Sequence, residues 1–363
     1  MPLDASAHPI EDTWLTTPRL ILRRPRSTDL DDYVRLHTDP RTYAYAPSSM
    51  PTPAQCVERL EADLHSWADE GVGYAAVLDR VTGALVGWAG LREGEVEGER
   101  FFNLYYRLSH DRLGQGLGKE IARAVVAWGV EHRPDLPLTA LVDQVNRSSL
   151  ATAEAAGLVR TGLRRHVDRA PEDPPMVRFE TPVTEVVRAP EALAPELLDL
   201  WVRVNDAGGA VGFLAGTPRH EVASVLDTHL AAVAAGMSLL AVLRDPDETL
   251  RGFGFWEHTS TLPYAHVAVL KRLMVDPEAQ GRNLGRLLLA GMVGVARREL
   301  PAVEILRLSY RSGLGLGDFY ASMGWTEVGR VPAGLWLGGH DYRDDVEMAR
   351  RVDGGPLVGD GRT

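Results

Sequence analysis

Four glycines in the first half of this chain recur in the second half with the same spacing. Each pair lies 167 residues apart (281 − 114 = 167 for the first), and the pairs are Gly114 and Gly281, Gly118 and Gly285, Gly157 and Gly324, and Gly162 and Gly329. Glycine is used where the backbone adopts conformations that other residues avoid, so a shared glycine spacing indicates a shared backbone. Because this interval has the length of a domain rather than of a short structural repeat, we expect one fold to be used twice.

The order of predicted elements supports a division into two domains. A chain of 363 residues is long enough for two hydrophobic cores. Each half opens with a predicted strand and then a helix, at residues 19–25 and from Asp29 in the first half and at residues 184–190 and 193–204 in the second. We therefore predict an N-terminal domain over residues 1–181, a C-terminal domain over residues 182–350 and a flexible, glycine-rich tail over residues 351–363.

Apolar patterning predicts the same succession of elements in both halves. The first half has predicted strands at residues 74–78, 84–91, 101–108, 139–142 and 176–180 and predicted helices at 119–132 and 148–156. Its acidic stretch, residues 93–99, is expected to be a solvated loop or hairpin. The second half has predicted strands at residues 238–243, 251–258, 266–275 and 305–309 and predicted helices at 286–299 and 318–323. This order predicts the α/β (α+β) class, with two tandem domains that each have a mixed, mostly antiparallel central sheet flanked by helices.

Composition narrows the classes of partner. The net charge of −11 argues against nucleic acid as a partner, since duplex binding depends on a basic surface. An acidic surface favours a cationic small molecule as the partner, or serves only to keep the protein soluble. The longest apolar run, residues 287–296, is too short to cross a bilayer, and no secretory signal is recognisable, so we expect no membrane association. The single cysteine, Cys56, fits a cytoplasmic protein and is expected to be a buried apolar residue. No residues have metal-ligand spacing, so no metal is expected.

A glycine-rich turn between a strand and a helix carries the strongest chemical signal in each half. The turn reads LGQGLG over residues 113–118 and QGRNLG over residues 280–285. Small residues there allow backbone N–H groups to converge on an anion at the positive end of a helix. The turns therefore predict pyrophosphate binding, although neither has the Gly-Lys-Ser/Thr of a P-loop. The alternative is a tight turn that only packs a helix on a sheet.

These turns resemble the acyl-CoA pyrophosphate signature of the GNAT family of N-acetyltransferases, Q/R-x-x-G-x-G/A. The second turn matches it except that Asn283 replaces a glycine, and the first has Leu113 in place of Gln or Arg. In the first half, residues 17–25, 146–149 and 154–157 resemble ribosomal-protein N-terminal acetyltransferases. In the second half, residues 309–313, 318–325 and 328–332 resemble tabtoxin-resistance-type acetyltransferases.

The resemblance implies a substrate, a reaction and a set of site residues. Acetyl-CoA would be the cosubstrate, attacked directly by an amine, with no metal involved. Tyr320 would protonate the departing sulfur; its alternative is a core tyrosine beside Phe319. Acetyl-CoA would be held by Leu273, Met274, Val275, Gln280, Gly281, Arg282, Asn283, Leu284, Gly285 and Arg286, and in the first half by Gly114, Gln115, Gly116, Leu117, Gly118, Lys119 and Asn146.

The first half lacks a tyrosine at the position that corresponds to Tyr320, because Ala153 stands there. Ser149 could take that role, or could only cap a helix or face solvent. A base is also needed to deprotonate the amine. Glu257 is the candidate, with His258 and His266 as further ones; each could instead be a surface residue at a strand end.

We therefore predict an N-acetyltransferase that acts on a small-molecule amine, with a catalytic C-terminal domain and an N-terminal domain that binds acyl-CoA or is structural. The alternatives are acetylation of protein N-termini by the first half and a non-catalytic acyl-CoA sensor or scaffold. The predicted assembly is a monomer with an internal pseudo-dimer, or a homodimer.

Overall fold

The computed structural model of this protein describes residues 12–43, 47–96, 98–165 and 173–357. The chain folds into two compact units. The first unit is Met1–Gly129 with Arg133–Thr181, and the second is Val130–His132 with Pro182–Thr363. Of the predicted tail, residues 358–363 lie outside the described residues, as do residues 1–11, the part of the chain that bears on a secretory signal.

The first unit is built on an eight-stranded sheet with the strand order β1-β2-β3-β4-β5-β6-β8-β7. Its elements are β1 Thr13–Thr16, β2 Leu20–Arg23, α1 Leu30–His37, α2 Pro53–Asp69, β3 Tyr74–Asp79, β4 Leu85–Val96, β5 Glu99–Leu108, α3 Leu117–His132, β6 Leu138–Val142, α4 Arg147–Ala155, β7 Val159–Arg164 and β8 Met176–Glu180. The strand pairs are antiparallel except for β5 and β6, which run parallel on either side of the crossover helix α3.

The second unit is built on a seven-stranded sheet with the order β14-β15-β13-β12-β11-β10-β9. Its elements are β9 Val183–Val187, α5 Ala194–Asp206, α6 Arg219–Ala234, β10 Ser238–Arg244, β11 Leu250–His258, β12 Val267–Val275, α7 Leu284–Glu299, β13 Ile305–Arg311, α8 Leu316–Ala321, β14 Thr326–Trp336 and β15 Tyr342–Arg351. Here β12 and β13 form the parallel pair. The predicted fold class, two mixed and mostly antiparallel sheets flanked by helices, is confirmed.

The acidic stretch over residues 93–99 forms the hairpin between β4 and β5 rather than an open loop. Strand β4 continues to Val96 and β5 begins at Glu99, with Glu93 paired opposite Phe102 and Glu95 opposite Arg100. An ion pair joins Glu93 to Arg100 across the two strands. Opposite charges facing each other on neighbouring strands stabilise a hairpin, so acidic residues do not by themselves indicate a loop. The expectation for Cys56 is confirmed, because it is buried on α2 and forms no disulfide.

Helix α7 packs closely on β9 at Gly291. A Cβ added there would lie 2.1 Å from Thr184 Oγ1 and 2.5 Å from Thr184 Cβ. At Gly285 on the same helix, the nearest atom to an added Cβ is Phe319 Cζ at 3.8 Å, an ordinary contact.

We therefore expect Gly291→Ala to lower the free energy of unfolding by about 1–3 kcal/mol through overpacking. Gly285→Ala is the matched control, and should leave it unchanged or raise it by up to about 1 kcal/mol through helix propensity. Urea unfolding midpoints measure both, and Thr184→Gly should recover part of the loss in the Gly291→Ala protein. Equal midpoints for the two alanine variants would contradict this packing of α7 on β9.

Candidate functional site

A cavity opens in the second unit where two parallel strands separate. Strands β12 and β13 pair from Val267 and Ile305 to Leu270 and Leu308, and no pairing follows beyond that point. The β12–β13 cavity, about 710 Å³, is lined by both strands where they diverge and by segments before and after them. Six of the residues predicted from the sequence line it together: Glu257, Leu273, Met274, Val275, Gln280 and Tyr320. His258 and His266, the other candidate bases, do not line it.

Tyr320 reaches this cavity from the short helix α8. Its side chain is largely buried, with its ring centroid 5.6 Å from that of Tyr310 and 5.1 Å from that of Phe319. Burial raises the pKa of Tyr320 to about 12, and the neighbouring Tyr310 adds to this shift. Its hydroxyl donates no hydrogen bond to any residue that the structure describes. Tyr320 therefore presents a protonated hydroxyl to the cavity at neutral pH.

A bulge in β12 places Arg272 in the lining of the cavity. The ladder between β11 and β12 shifts register between Phe253 and Phe255, and Arg272 has a φ of 55°. Its guanidinium donates from Nη1 to the carbonyl oxygen of Val211 at 3.2 Å and lies over the ring of Trp201. Burial lowers the pKa of Arg272 below its usual range. Bulges of this kind commonly re-aim side chains next to functional sites.

His229 on α6 is a site residue that the sequence reasoning missed. Arg272 Nε donates to His229 Nε2 at 3.3 Å, so the imidazole hydrogen must be on Nδ1, which lies 3.6 Å from Glu257 Oε1. Burial lowers the pKa of His229 to about 4, with the charge of Arg272 acting in the same direction. His229 is therefore neutral at pH 7 and bridges Arg272 and Glu257. A lone histidine in the apolar face of a helix was the only available signal in the sequence.

The second glycine turn leads into α7 with the backbone that an anion site requires. Gly281 and Asn283 have φ values of 78° and 67°, so Asn283 adopts the left-handed conformation in place of glycine. Asn283 is the N-cap of α7 and Leu284 its first residue. The side chain of Leu284 is buried, so only its backbone N–H can serve a ligand. Arg286 donates to Ser322 Oγ at 2.6 Å, which ties α7 to the chain after α8.

The first turn has the same backbone. Gly114 and Gly116 have φ values of 74° and 76°, and Gly116 is the N-cap of α3, as Asn283 is of α7. The side chain of Leu117 is buried, as is that of Leu284. Arg19 donates from Nη1 to the carbonyl oxygen of Gln115 at 2.8 Å. A residue beside β2 thus braces the turn that holds Gly114, Gln115, Gly116, Leu117, Gly118 and Lys119.

The first unit has a smaller cavity at the matching position. Strands β5 and β6 pair only at Phe102 with Leu138 and Asn103 with Thr139 before they separate. The β5–β6 cavity, about 240 Å³, is lined among others by Asn146, Ser149 and Ala153. Asn146 caps α4, because its Oδ1 accepts from the backbone N–H of Ser149 at 3.1 Å. Ala153 has no hydroxyl group to donate a proton, whereas Ser149 and Tyr106, which line the same cavity, each carry one.

Two further observations on the described residues concern membranes and metal ions. No helix there has the length and apolar character needed to cross a membrane. Among the same residues, no group of three or more His, Cys, Asp or Glu side chains is arranged to hold a metal ion.

Comparison with known proteins finds similarity over part of the chain. Residues 19–159 match the family model of the acetyltransferase (GNAT) domain. The uncharacterized protein YkkB of Bacillus subtilis (strain 168) is 26% identical over 147 residues, which are 40% of this chain and 85% of that protein. A putative GNAT-family acetyltransferase from Bordetella pertussis is 21% identical with a TM-score of 0.40, covering 46% of this chain and 98% of that one. An acetyltransferase from Agrobacterium tumefaciens str. C58 is 24% identical with a TM-score of 0.39, covering 46% and 92%.

Proposed function

We propose that this protein is an acetyl-CoA-dependent N-acetyltransferase that acetylates the amine of a small molecule, and that the second unit carries the reaction. The observation that carries the proposal is the β12–β13 cavity, where Tyr320 and Glu257 line the same space as Leu273, Met274, Val275 and Gln280. The match of residues 19–159 to the GNAT domain supports the reaction class. The proposed catalytic domain is the one over residues 182–350.

The residues of the cavity supply both proton transfers. The amine nitrogen bonds to the thioester carbonyl carbon, and the carbon–sulfur bond breaks. The hydroxyl of Tyr320 gives its proton to the departing sulfur, and Glu257 takes the proton that the amine loses, directly or through a water. Glu257 suits this role because its side chain is 41% exposed, which leaves an acceptor open to the substrate. His229 cannot take that proton at Nε2, because Arg272 already donates to that atom.

The glycine turn at the start of α7 fits the pyrophosphate of acetyl-CoA. Gly285 has room for a Cβ and no left-handed φ, so the packing of the protein does not require glycine there. Glycine near the start of a helix lowers helix stability by about 1 kcal/mol relative to alanine. A ligand that approaches the backbone closely explains why a residue without a side chain stands at this position.

The first unit supports a second candidate function. It contains the matched GNAT segment, a left-handed N-cap at Gly116 and a cavity that Ser149 lines. Acetylation of a protein N-terminus by this unit is therefore the main alternative. A non-catalytic role in binding acyl-CoA is favoured instead by Ala153, which leaves the unit without the tyrosine of the second.

Identifying which acceptor becomes acetylated distinguishes these functions. The purified protein is incubated with acetyl-CoA and, in turn, with a polyamine, an amino sugar and a short peptide with a free N-terminus, and the products are identified by mass spectrometry. We expect acetylation of at least one small amine and none of the peptide. Acetylation of the peptide alone would assign the function to the alternative, and acetyl-CoA binding without any product would leave the sensor.

Glu257→Gln should lower kcat/KM for the accepted amine by about 10²-fold, because the amide cannot take up the proton. Glutamine has the same shape as glutamate, so the affinity of the protein for acetyl-CoA should stay the same. Glu221→Gln, at an exposed position of α6, is the matched control. A Glu257→Gln protein with the wild-type rate at every pH tested would remove Glu257 from the mechanism.

A further inference from the structure

The first unit contains a second, larger cavity, which adjoins the β5–β6 cavity and shares Tyr43, Tyr105 and Arg107 with it. The reaction proposed for the second unit does not use this cavity. The larger cavity has a volume of about 840 Å³ and is lined by residues of α1, α2, β3, β4 and β5. Three arginines line it: Arg59 from α2, Arg92 from β4 and Arg107 from β5. We propose that this arginine cavity binds a small anionic molecule that carries a carboxylate or a phosphate group.

Arg107 carries a half-buried charge with no acidic partner among the described residues. Its Nη1 donates to the carbonyl oxygen of Thr42 at 2.8 Å, its Nε donates to Tyr105 Oη at 3.0 Å, and its Cζ lies 3.7 Å from the ring centroid of Tyr43. No carboxylate within the described ranges forms an ion pair with it. Charge removed from water is costly unless it is compensated, so the cavity is suited to receive an anion beside Arg107.

The groups in the chain of hydrogen bonds behind Arg107 are also uncharged. Tyr105 Oη is 3.1 Å from His37 Nε2, and His37 Nδ1 is 2.9 Å from the carbonyl oxygen of Tyr33. That carbonyl can only accept, so His37 carries its hydrogen on Nδ1 and Tyr105 donates to Nε2. Burial lowers the pKa of His37 to about 3, with Arg107 and Arg59 adding to the shift. The chain of hydrogen bonds holds Arg107 in position without neutralising it.

The other two arginines add to this charge. Arg59 is exposed on α2, and it forms neither a hydrogen bond nor an ion pair with any part of the chain that the structure describes. Arg92 Nη1 donates to Asp63 Oδ1 at 3.1 Å. Burial raises the pKa of Asp63 to about 7, so near neutral pH that carboxyl compensates only part of the charge of Arg92. The cavity is thus positive in a protein whose net charge is −11.

The walls of the arginine cavity suggest a planar body for the ligand. Tyr43, Tyr74 and Tyr105 line it, and the rings of Tyr74 and Tyr105 lie 4.8 Å apart. Aromatic walls with arginines between them suit an aromatic ring that ends in a carboxylate or phosphate, since guanidinium binds both in a bidentate manner. Asp173 is the one acidic residue among the described lining residues.

Binding of small aromatic probes to the full-length protein tests the proposal. The probes are benzoate, phenyl phosphate and, as the cationic counterpart, benzylamine, titrated by calorimetry at low ionic strength in a phosphate-free buffer. We expect benzoate or phenyl phosphate to bind and benzylamine not to bind. The tighter of the two anions identifies the head group.

Arg59→Gln is the first variant to test, because Arg59 has no partner among the described residues to lose and the protein should keep its melting temperature. The affinity for the anionic probe should fall at least about tenfold, the effect of one charge-assisted hydrogen bond. Arg107→Gln should reduce it further, and Arg35→Gln, at an exposed position of α1 that does not line the cavity, should not change it. Absence of binding by both anions, equal binding of benzylamine, or unchanged affinity in both cavity variants would overturn the proposal. None of these outcomes depends on acetyl transfer by the second unit.

Discussion

Tyr320→Phe should reduce kcat for acetyl transfer by about 10²- to 10⁴-fold, the contribution of a positioned general acid. The substitution removes only the hydroxyl, which makes no hydrogen bond with the described residues, and it keeps the ring packed against Tyr310 and Phe319. The melting temperature and the affinity for acetyl-CoA should therefore stay close to those of the wild type. A stopped assay of CoA release with the accepted amine measures the effect.

Tyr264→Phe is the control for this substitution. Tyr264 is 63% exposed and precedes β12, at the end of the strand away from its divergence from β13. The rate of acetyl transfer by the Tyr264→Phe protein should equal that of the wild type. A Tyr320→Phe protein with unchanged turnover at all pH values would contradict the assignment of Tyr320 as the acid.

The pH dependence gives an independent check on the same residue. An acid must be protonated to act, so activity that depends on Tyr320 is present below its pKa and is lost above it. Since burial raises this pKa from the usual 10.0 to about 12, the wild-type rate should not fall with a midpoint near pH 10. A midpoint near pH 10 that disappears in Tyr320→Phe would show that the hydroxyl is exposed to water rather than buried.

Gly285→Leu should weaken acetyl-CoA binding by about a hundredfold. A bulky side chain at the start of α7 would occupy the space expected for the pyrophosphate, and the loss of two charge-assisted hydrogen bonds is worth about that factor. Among the described residues, a Cβ at this position meets only Phe319 Cζ, at 3.8 Å. The melting temperature of the Gly285→Leu protein shows whether folding is retained. Gly285→Ala is the mild counterpart, because the signature that this turn resembles accepts alanine at that position.

Calorimetric titration with acetyl-CoA measures both affinity and stoichiometry for this series. Gly118→Leu makes the equivalent change at the start of α3 in the first unit, where an added Cβ would lie 3.4 Å from Tyr106 Cε2. Loss of one of two binding events in each leucine variant would assign one acetyl-CoA to each unit. Undiminished binding in Gly285→Leu would exclude the turn of residues 280–285 as the pyrophosphate site.

The glycine spacing predicts one fold used twice, and each half of the chain contains a mixed, mostly antiparallel sheet with one parallel pair of strands. Left-handed backbone is a local requirement, so it leaves a local trace in the residues that can adopt it. Helices α3 and α7 accordingly begin at Leu117 and Leu284, each after a residue with positive φ. Strands β2 to β6 and β8 to β13 followed from apolar patterning, because each of them shows a local apolar pattern, whereas no range was predicted for β1, β7, β14 or β15. The ion pair across the acidic hairpin was not predicted, because Arg100, the partner of Glu93, lies on the opposite strand.

The contents of the cavities depended on contacts between residues far apart in the chain. Arg272 and His229 meet because a bulge in β12 faces α6, and no local pattern in either segment encodes that contact. Arg59, Arg92 and Arg107 come from three elements, and each alone reads as an ordinary surface cation. The backbone conformation of a tight turn depends on the residues within it, so it could be predicted from the sequence. Burial, charge compensation and tautomer are set by neighbours in space, so they became visible only in the folded chain.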